Sequence, residues 1–159
     1  MYILSKSIEI AASPAVVREK FLDFSQLSKY HHTTPFFKSI TLVDPNKPIQ
    51  VGDKVSPEFD LMGGMKTEAT ILENSPNCFR WVGSSVGFKG EHAFRFEESK
   101  TTPGGTTFIQ EEKFTGAFSF LMGSNFAAKA VGVPNKTMQG WTKYNNDLKS
   151  WCEGSTKRT

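Results

Sequence analysis

Two proton-exchanging side chains fall on one side of two neighbouring segments of this chain. In residues 88–98, strand alternation puts Phe88, Gly90, His92, Phe94 and Phe96 on one face and Lys89, Glu91, Ala93, Arg95 and Glu97 on the other. The charged set suits water, so the phenylalanine set, with His92 in it, points to the core. In residues 106–115 the same alternation groups Phe108, Gln110, Glu112 and Phe114 against Thr107, Ile109, Glu111 and Lys113. Paired phenylalanines make the first set the inner one, so Gln110 and Glu112 also face inward. One strand earlier Phe79, Trp81 and Ser85 share a face. Histidine titrates near neutrality, and burial raises a glutamate's affinity for its proton. His92 and Glu112, on adjacent strands, could therefore act as an acid/base dyad. They could equally orient a ligand without reacting, or form a structural hydrogen bond that satisfies two buried groups.

Other candidate chemistries fall away. His31 and His32 are adjacent in a loop, so their side chains diverge, and no carboxylate or thiol lies at ligand spacing. They are expected at the surface or a pocket rim. Gly63-Gly64 and Gly104-Gly105 read as turns. No Lys-Ser/Thr follows and no helix opens there, so neither cradles a phosphate. No nucleophile-elbow motif is present. Cys78 and Cys152 form no C-x-x-C pair, and reduced thiols are expected. No metal and no cofactor is expected.

The elements that must position these residues follow from periodicity. Residues 3–11 alternate as a half-buried strand. Ser13-Pro14 starts a helix, with Ser13 as N-cap and Pro14 at its first position; Val16, Val17, Phe21, Leu22 and Phe24 give an apolar stripe. A second short helix spans 25–30. Strands are expected over 36–43, 54–59, 66–73, 79–85, 88–98 and 106–115, an antiparallel meander with short turns. Residues 116–134, rich in Phe, Gly, Ala and Met, read as an irregular helix or a partly apolar loop. From Pro134 to about Glu153 a helix carries Met138, Trp141, Asn145, Leu148 and Cys152 on one face, which Tyr144 and Trp151 widen. Residues 154–159 read as a frayed polar tail.

Composition bounds the rest. The chain has 159 residues, 38% hydrophobic and 22% charged, and suits one globular domain over 1–159. Fourteen phenylalanines against three tyrosines and three tryptophans favour an apolar interior. The net charge of +3 is mild and the basic residues are dispersed, so no nucleic-acid face is expected. Residues 1–6 lack the long apolar run of a secretory leader, so none is expected, and no run of membrane-spanning length is present in this sequence. A cytoplasmic protein, monomer or homodimer, is expected.

Several segments then look familiar: Trp81-Val82-Gly83, Gly87-Phe88-Lys89-Gly90-Glu91-His92-Ala93-Phe94, Gly105-Thr106-Thr107-Phe108, Glu112-Lys113-Phe114-Thr115-Gly116, and the helix with Asn145 and Leu148. With the element order, they resemble the SRPBCC superfamily. That group includes START domains, the birch-pollen allergen family and polyketide cyclase/dehydrase-like proteins, and the last branch is the nearest. The resemblance covers nearly the whole chain. It implies an α+β helix-grip fold, a curved antiparallel sheet of about seven strands around a long C-terminal helix, with two short helices after the first strand. It also implies a cavity between sheet and helix lined by Trp81, His92, Phe94, Phe96, Gln110, Glu112, Phe114, Met138, Trp141 and Asn145, with residues 116–134 at its mouth. The bulky rings at Trp81, Trp141 and Phe94 could instead fill that space.

Three functions stay open. The chain could bind a small hydrophobic molecule (lipid-, sterol- or polyketide-like) and do no chemistry. It could be a cofactor-free cyclase, dehydratase or isomerase using His92 and Glu112. It could be a protein-interaction module, to which only the Phe-rich segment points.

Overall fold

A computed structural model describes residues 1–61 and 63–156. The expected tail therefore lies outside the described residues at 157–159, as does Met62 in the expected turn 61–65.

The chain order is β1 (Tyr2–Ile10), α1 (Pro14–Leu22), a 3-10 turn (Phe24–Gln26), α2 (Leu27–Tyr30), β2 (Phe37–Leu42), β3 (Lys54–Phe59), β4 (Met65–Lys66), β5 (Ala69–Ser75), β6 (Cys78–Ser85), β7 (Phe88–Glu98) and β8 (Thr106–Thr115). A 3-10 turn (Ser119–Met122), α3 (Phe126–Val131) and α4 (Val133–Thr156) complete it. The sheet order is β1-β8-β7-β6-β5-β3-β2, antiparallel throughout, with β4 paired to β3. This is the helix-grip α+β architecture, a curled sheet holding a long C-terminal helix.

The ends of these elements follow local chemistry. Ser13 caps α1, its hydroxyl accepting from the Val16 N–H, and Pro14 occupies the first turn. The strand expected over 66–73 is instead divided into β4 and β5. Its neighbour in β3 is Pro57, whose carbonyl accepts from Thr67 N–H at 3.1 Å. N–H and C=O of one strand residue point the same way, so Pro57 is the position where β3 has no donor for that side. The ladder breaks there. At the C-terminus α4 continues through Gly154 to Thr156, past the expected stop at Glu153. Glycine costs about 1 kcal/mol of helix propensity but keeps its backbone hydrogen-bonding groups, so it does not end the helix.

Two layers meet over the sheet's concave face. Towards one end Phe21 of α1 sits among Phe79, Phe94, Phe96 and Phe108, with ring centroids 4.6–6.0 Å away. Beside it α4 lays Trp141, Tyr144, Leu148 and Cys152 into the same core. Lys149 Nζ donates to the Glu9 carbonyl at 2.6 Å, and Glu153 accepts from Ala11 N–H at 2.9 Å. These two contacts set α4 parallel to β1, and therefore fix which residues of α4 look at which level of β8.

Candidate functional site

Register brings the expected dyad together. His92 of β7 lies opposite Glu112 of β8, and Trp81 of β6 opposite His92. His92 Nδ1 is 3.6 Å from Glu112 Oε2, close enough to couple and longer than a formed hydrogen bond. Gly90 makes room for the carboxylate: a Cβ there would stand 2.5 Å from Glu112 Oε1. The imidazole is fully buried, stacked on Phe94 at 4.1 Å and tilted against Trp141 at 4.9 Å.

Burial sets the charges. Desolvation pulls His92 down to about 3, and the nearby Gln110 amide offsets this only in part. Desolvation pushes Glu112 up to about 8, although 18% of its side chain remains accessible. The low-dielectric wall on the strand side outweighs that partial access. These opposed shifts favour a neutral imidazole beside a protonated carboxylic acid near neutral pH.

The helix supplies the opposite wall. Gln110 Nε2 donates to Asn145 Oδ1 at 2.6 Å, tying β8 to α4. Six polar side-chain atoms of β7, β8 and α4 are buried without a well-formed hydrogen bond in the structure: both ring nitrogens of His92, Gln110 Oε1, Asn145 Nδ2, Trp141 Nε1 and Thr137 Oγ1, although Gln110 lies close enough to His92 to act on its proton affinity. Thr137, Trp141 and Asn145 recur every four residues, so they form one stripe along about 12 Å of α4. Each such orphan costs about 1–3 kcal/mol, and native proteins hold few of them. The sequence reading missed Thr137; its spacing from Trp141 and Asn145 was the available signal.

The remaining expected residues are distributed as follows. Trp81 is buried within 5.8 Å of His92 by ring centroids, Phe114 is buried beyond Glu112, and Met138 is half-buried against the core. Phe96 packs beneath α1 against Phe21 and Phe108. Ser85, expected on the inner face, is exposed because it sits at the very end of β6 beside the 86–87 turn. The rings of Phe37, Trp81, Phe94 and Trp141 surround His92 and occupy much of the space between sheet and helix. Open pockets of about 480 Å3 and about 230 Å3 lie elsewhere, the larger one between the 3-10 turn, α2 and the β2 edge.

His31 corrects another expectation. It is buried, away from any surface or rim. Its Nε2 accepts from Phe36 N–H at 2.7 Å, which puts the ring proton on Nδ1, and Nδ1–H donates to Asp147 Oδ2 at 2.7 Å. Lys143 Nζ holds the other oxygen at 2.6 Å. Burial lowers the His31 pKa despite that carboxylate. His32 is exposed, so the two histidines do diverge. Among the described residues no cluster of three or more His, Cys, Asp or Glu is arranged to hold a metal, and no helix is long and apolar enough to cross a membrane.

The fold is a helix grip whose interior carries a row of buried polar side chains among aromatic rings. Residues 1–140 match the model of the family described as polyketide cyclase / dehydrase and lipid transport, and the chain belongs to it. No curated protein matches the chain. Similar solved structures include a hypothetical protein of Helicobacter pylori at 16% identity and TM-score 0.70, covering 95% of this chain and 88% of that one. A START superfamily protein of Mycobacterium smegmatis has 13% identity and TM-score 0.67, covering 95% and 99%. The Zhui aromatase/cyclase of Streptomyces sp. R1128 has 11% identity and TM-score 0.67, covering 96% and 93%. At these identities the likeness is one of fold.

Proposed function

We propose that this protein binds a small hydrophobic molecule carrying at least one polar group, held between β7, β8 and the first half of α4. The carrying observation is the stripe of orphaned buried atoms on His92, Gln110, Thr137, Trp141 and Asn145. Each lacks a partner that a ligand hydroxyl or carbonyl would supply, and aromatic faces surround them. Family membership supports the same reading, since lipid transport is in the family's description. Entry requires the surrounding rings to shift, as Trp81, Phe94 and Trp141 pack around His92 between sheet and helix.

A second reading has its own observation in favour. Environment drives the proton affinities of His92 and Glu112 apart, giving a neutral base and a protonated acid side by side near neutral pH. Glu112 would donate its proton to a ligand carbonyl oxygen while His92 accepts one from the adjacent carbon, the two proton transfers of an enolisation. The aromatase/cyclase among similar structures supports this as a class of chemistry. No cofactor is needed for it.

Tryptophan fluorescence tests the binding reading, because Trp81 and Trp141 both border His92. Titration with neutral polyphenols, sterols and acyl esters should give saturable quenching for one class. Glu112→Gln then separates the readings: binding persists in both, and turnover disappears only if the second holds.

A further inference from the structure

We propose that the surface formed by the 86–87 turn, residues 117–122 and α3 docks on an anionic lipid bilayer. The proposal stands independently of what the interior holds.

Water-facing segments normally turn their apolar side chains inward, and here they turn them out. Phe126 is 88% exposed and Val86 91% exposed, with Phe118, Phe120 and Val131 also outside. In α3 the small Ala128 is buried, while Phe126 and Val131 face solvent with Lys129 between them. The arrangement is held in place. Phe118 N–H donates to the Gly87 carbonyl at 2.9 Å, and Asn125 both caps α3 and donates to the Phe120 carbonyl at 2.6 Å. The Tyr2 ring covers Gly123 from β1. The patch is therefore a fixed feature of the fold.

Charge selects the partner. Between Lys113 and Asn146 the sequence holds no Asp or Glu, and neither does 84–90. Lys89, Lys113, Lys129 and Lys136 are exposed within or beside these stretches. Exposed phenylalanines on a stretch that carries exposed lysines and no Asp or Glu match a headgroup layer that is negative at its surface and apolar beneath, while Lys113 at its edge faces Glu91 across the strands. A two-fold contact between copies would set those lysines against one another, which disfavours self-association.

Co-sedimentation of the full chain with vesicles tests this, using phosphatidylcholine alone and phosphatidylcholine with one-third phosphatidylglycerol. Phe120→Ser/Phe126→Ser and Lys129→Glu/Lys136→Glu alter exposed positions only and should melt with the unaltered chain. The expected result is binding to the anionic vesicles, reduced on the order of thirtyfold by the lysine variant and by high salt. The phenylalanine variant should lose at least tenfold. Absent binding, or binding that both variants and high salt leave unchanged, would overturn the proposal. So would a dimer in sedimentation velocity that the phenylalanine variant dissolves, since the patch would then belong to a second copy. High salt acts on the unaltered chain, so the charge test holds even if a variant fails to fold.

Discussion

Glu112 directs its carboxyl over the bare α-carbon of Gly90, the one place on β7 where the strand leaves space for it. The missing Cβ lets an acid stay inside an apolar wall within 3.6 Å of His92. Gly90→Ala should therefore spare the fold and move the acid, because the clash falls on the flexible end of Glu112. Urea midpoints should change by less than about 1 kcal/mol equivalent, while ligand affinity falls about tenfold.

Linkage makes the same carboxyl visible in stability. Its pKa is raised to about 8 on folding, so the folded state holds the proton more tightly between the ordinary glutamate range and pH 8. That contribution is complete at low pH and disappears as pH rises through about 8. His92 works oppositely: its pKa falls to about 3, so its contribution is present above the ordinary histidine range and is lost as pH falls towards 3. Between pH 6.5 and 8 only the Glu112 effect varies, so stability should decline there. Glu112→Gln should flatten that decline, and thermal melts from pH 6 to 9 check it as a difference of several degrees between the two proteins.

His31 stitches three elements, from the end of α2 to the entry of β2 and the middle of α4. Its removal leaves Phe36 N–H and Asp147 short of a partner inside the fold. His31→Ala should cost about 2–4 kcal/mol in urea unfolding. Protonation would turn Nε2 into a donor facing another donor. The lowered pKa means its contribution is present above the ordinary histidine range and lost as pH falls below it. His31→Gln should blunt that acid loss.

The Gln110–Asn145 bond is the direct polar tie between β8 and α4 at the site. A double-mutant cycle with Gln110→Ala and Asn145→Ala should give a coupling of about 1–2 kcal/mol in stability. Each single variant should also weaken ligand binding, since each removes a group offered to the interior.

Much of this layout was legible in the sequence, and the reasons for the rest are physical. Strict alternation around His92 and Glu112 predicted both inner faces, because a period of two leaves each side chain one direction once the charged set is placed in water. Ser13-Pro14 marked the start of α1 to the residue. His31 was illegible: its partner Asp147 lies 116 positions away, and nothing local signals that a loop histidine will be swallowed by a helix docking from the far end of the chain. Residues 116–134 gave no period because α3 turns its apolar residues outward, so the pattern that marks a buried face was absent. The division of β4 from β5 needed Pro57's neighbour to be known. How fully Trp81, Phe94 and Trp141 fill the interior depends on packing, which sequence spacing does not encode.

The proposed ligand completes the orphaned polar stripe of α4. Native mass spectrometry of gently purified protein, followed by solvent extraction, tests it most directly, with Trp141→Phe as the paired variant. A small apolar molecule with a hydroxyl or carbonyl group should be found bound to the 17.7 kDa chain. Trp141→Phe, which deletes one orphaned donor, should fold at least as stably yet retain markedly less of that molecule. An empty protein whose melting temperature responds to no apolar compound, and is unchanged in the variant, would contradict it.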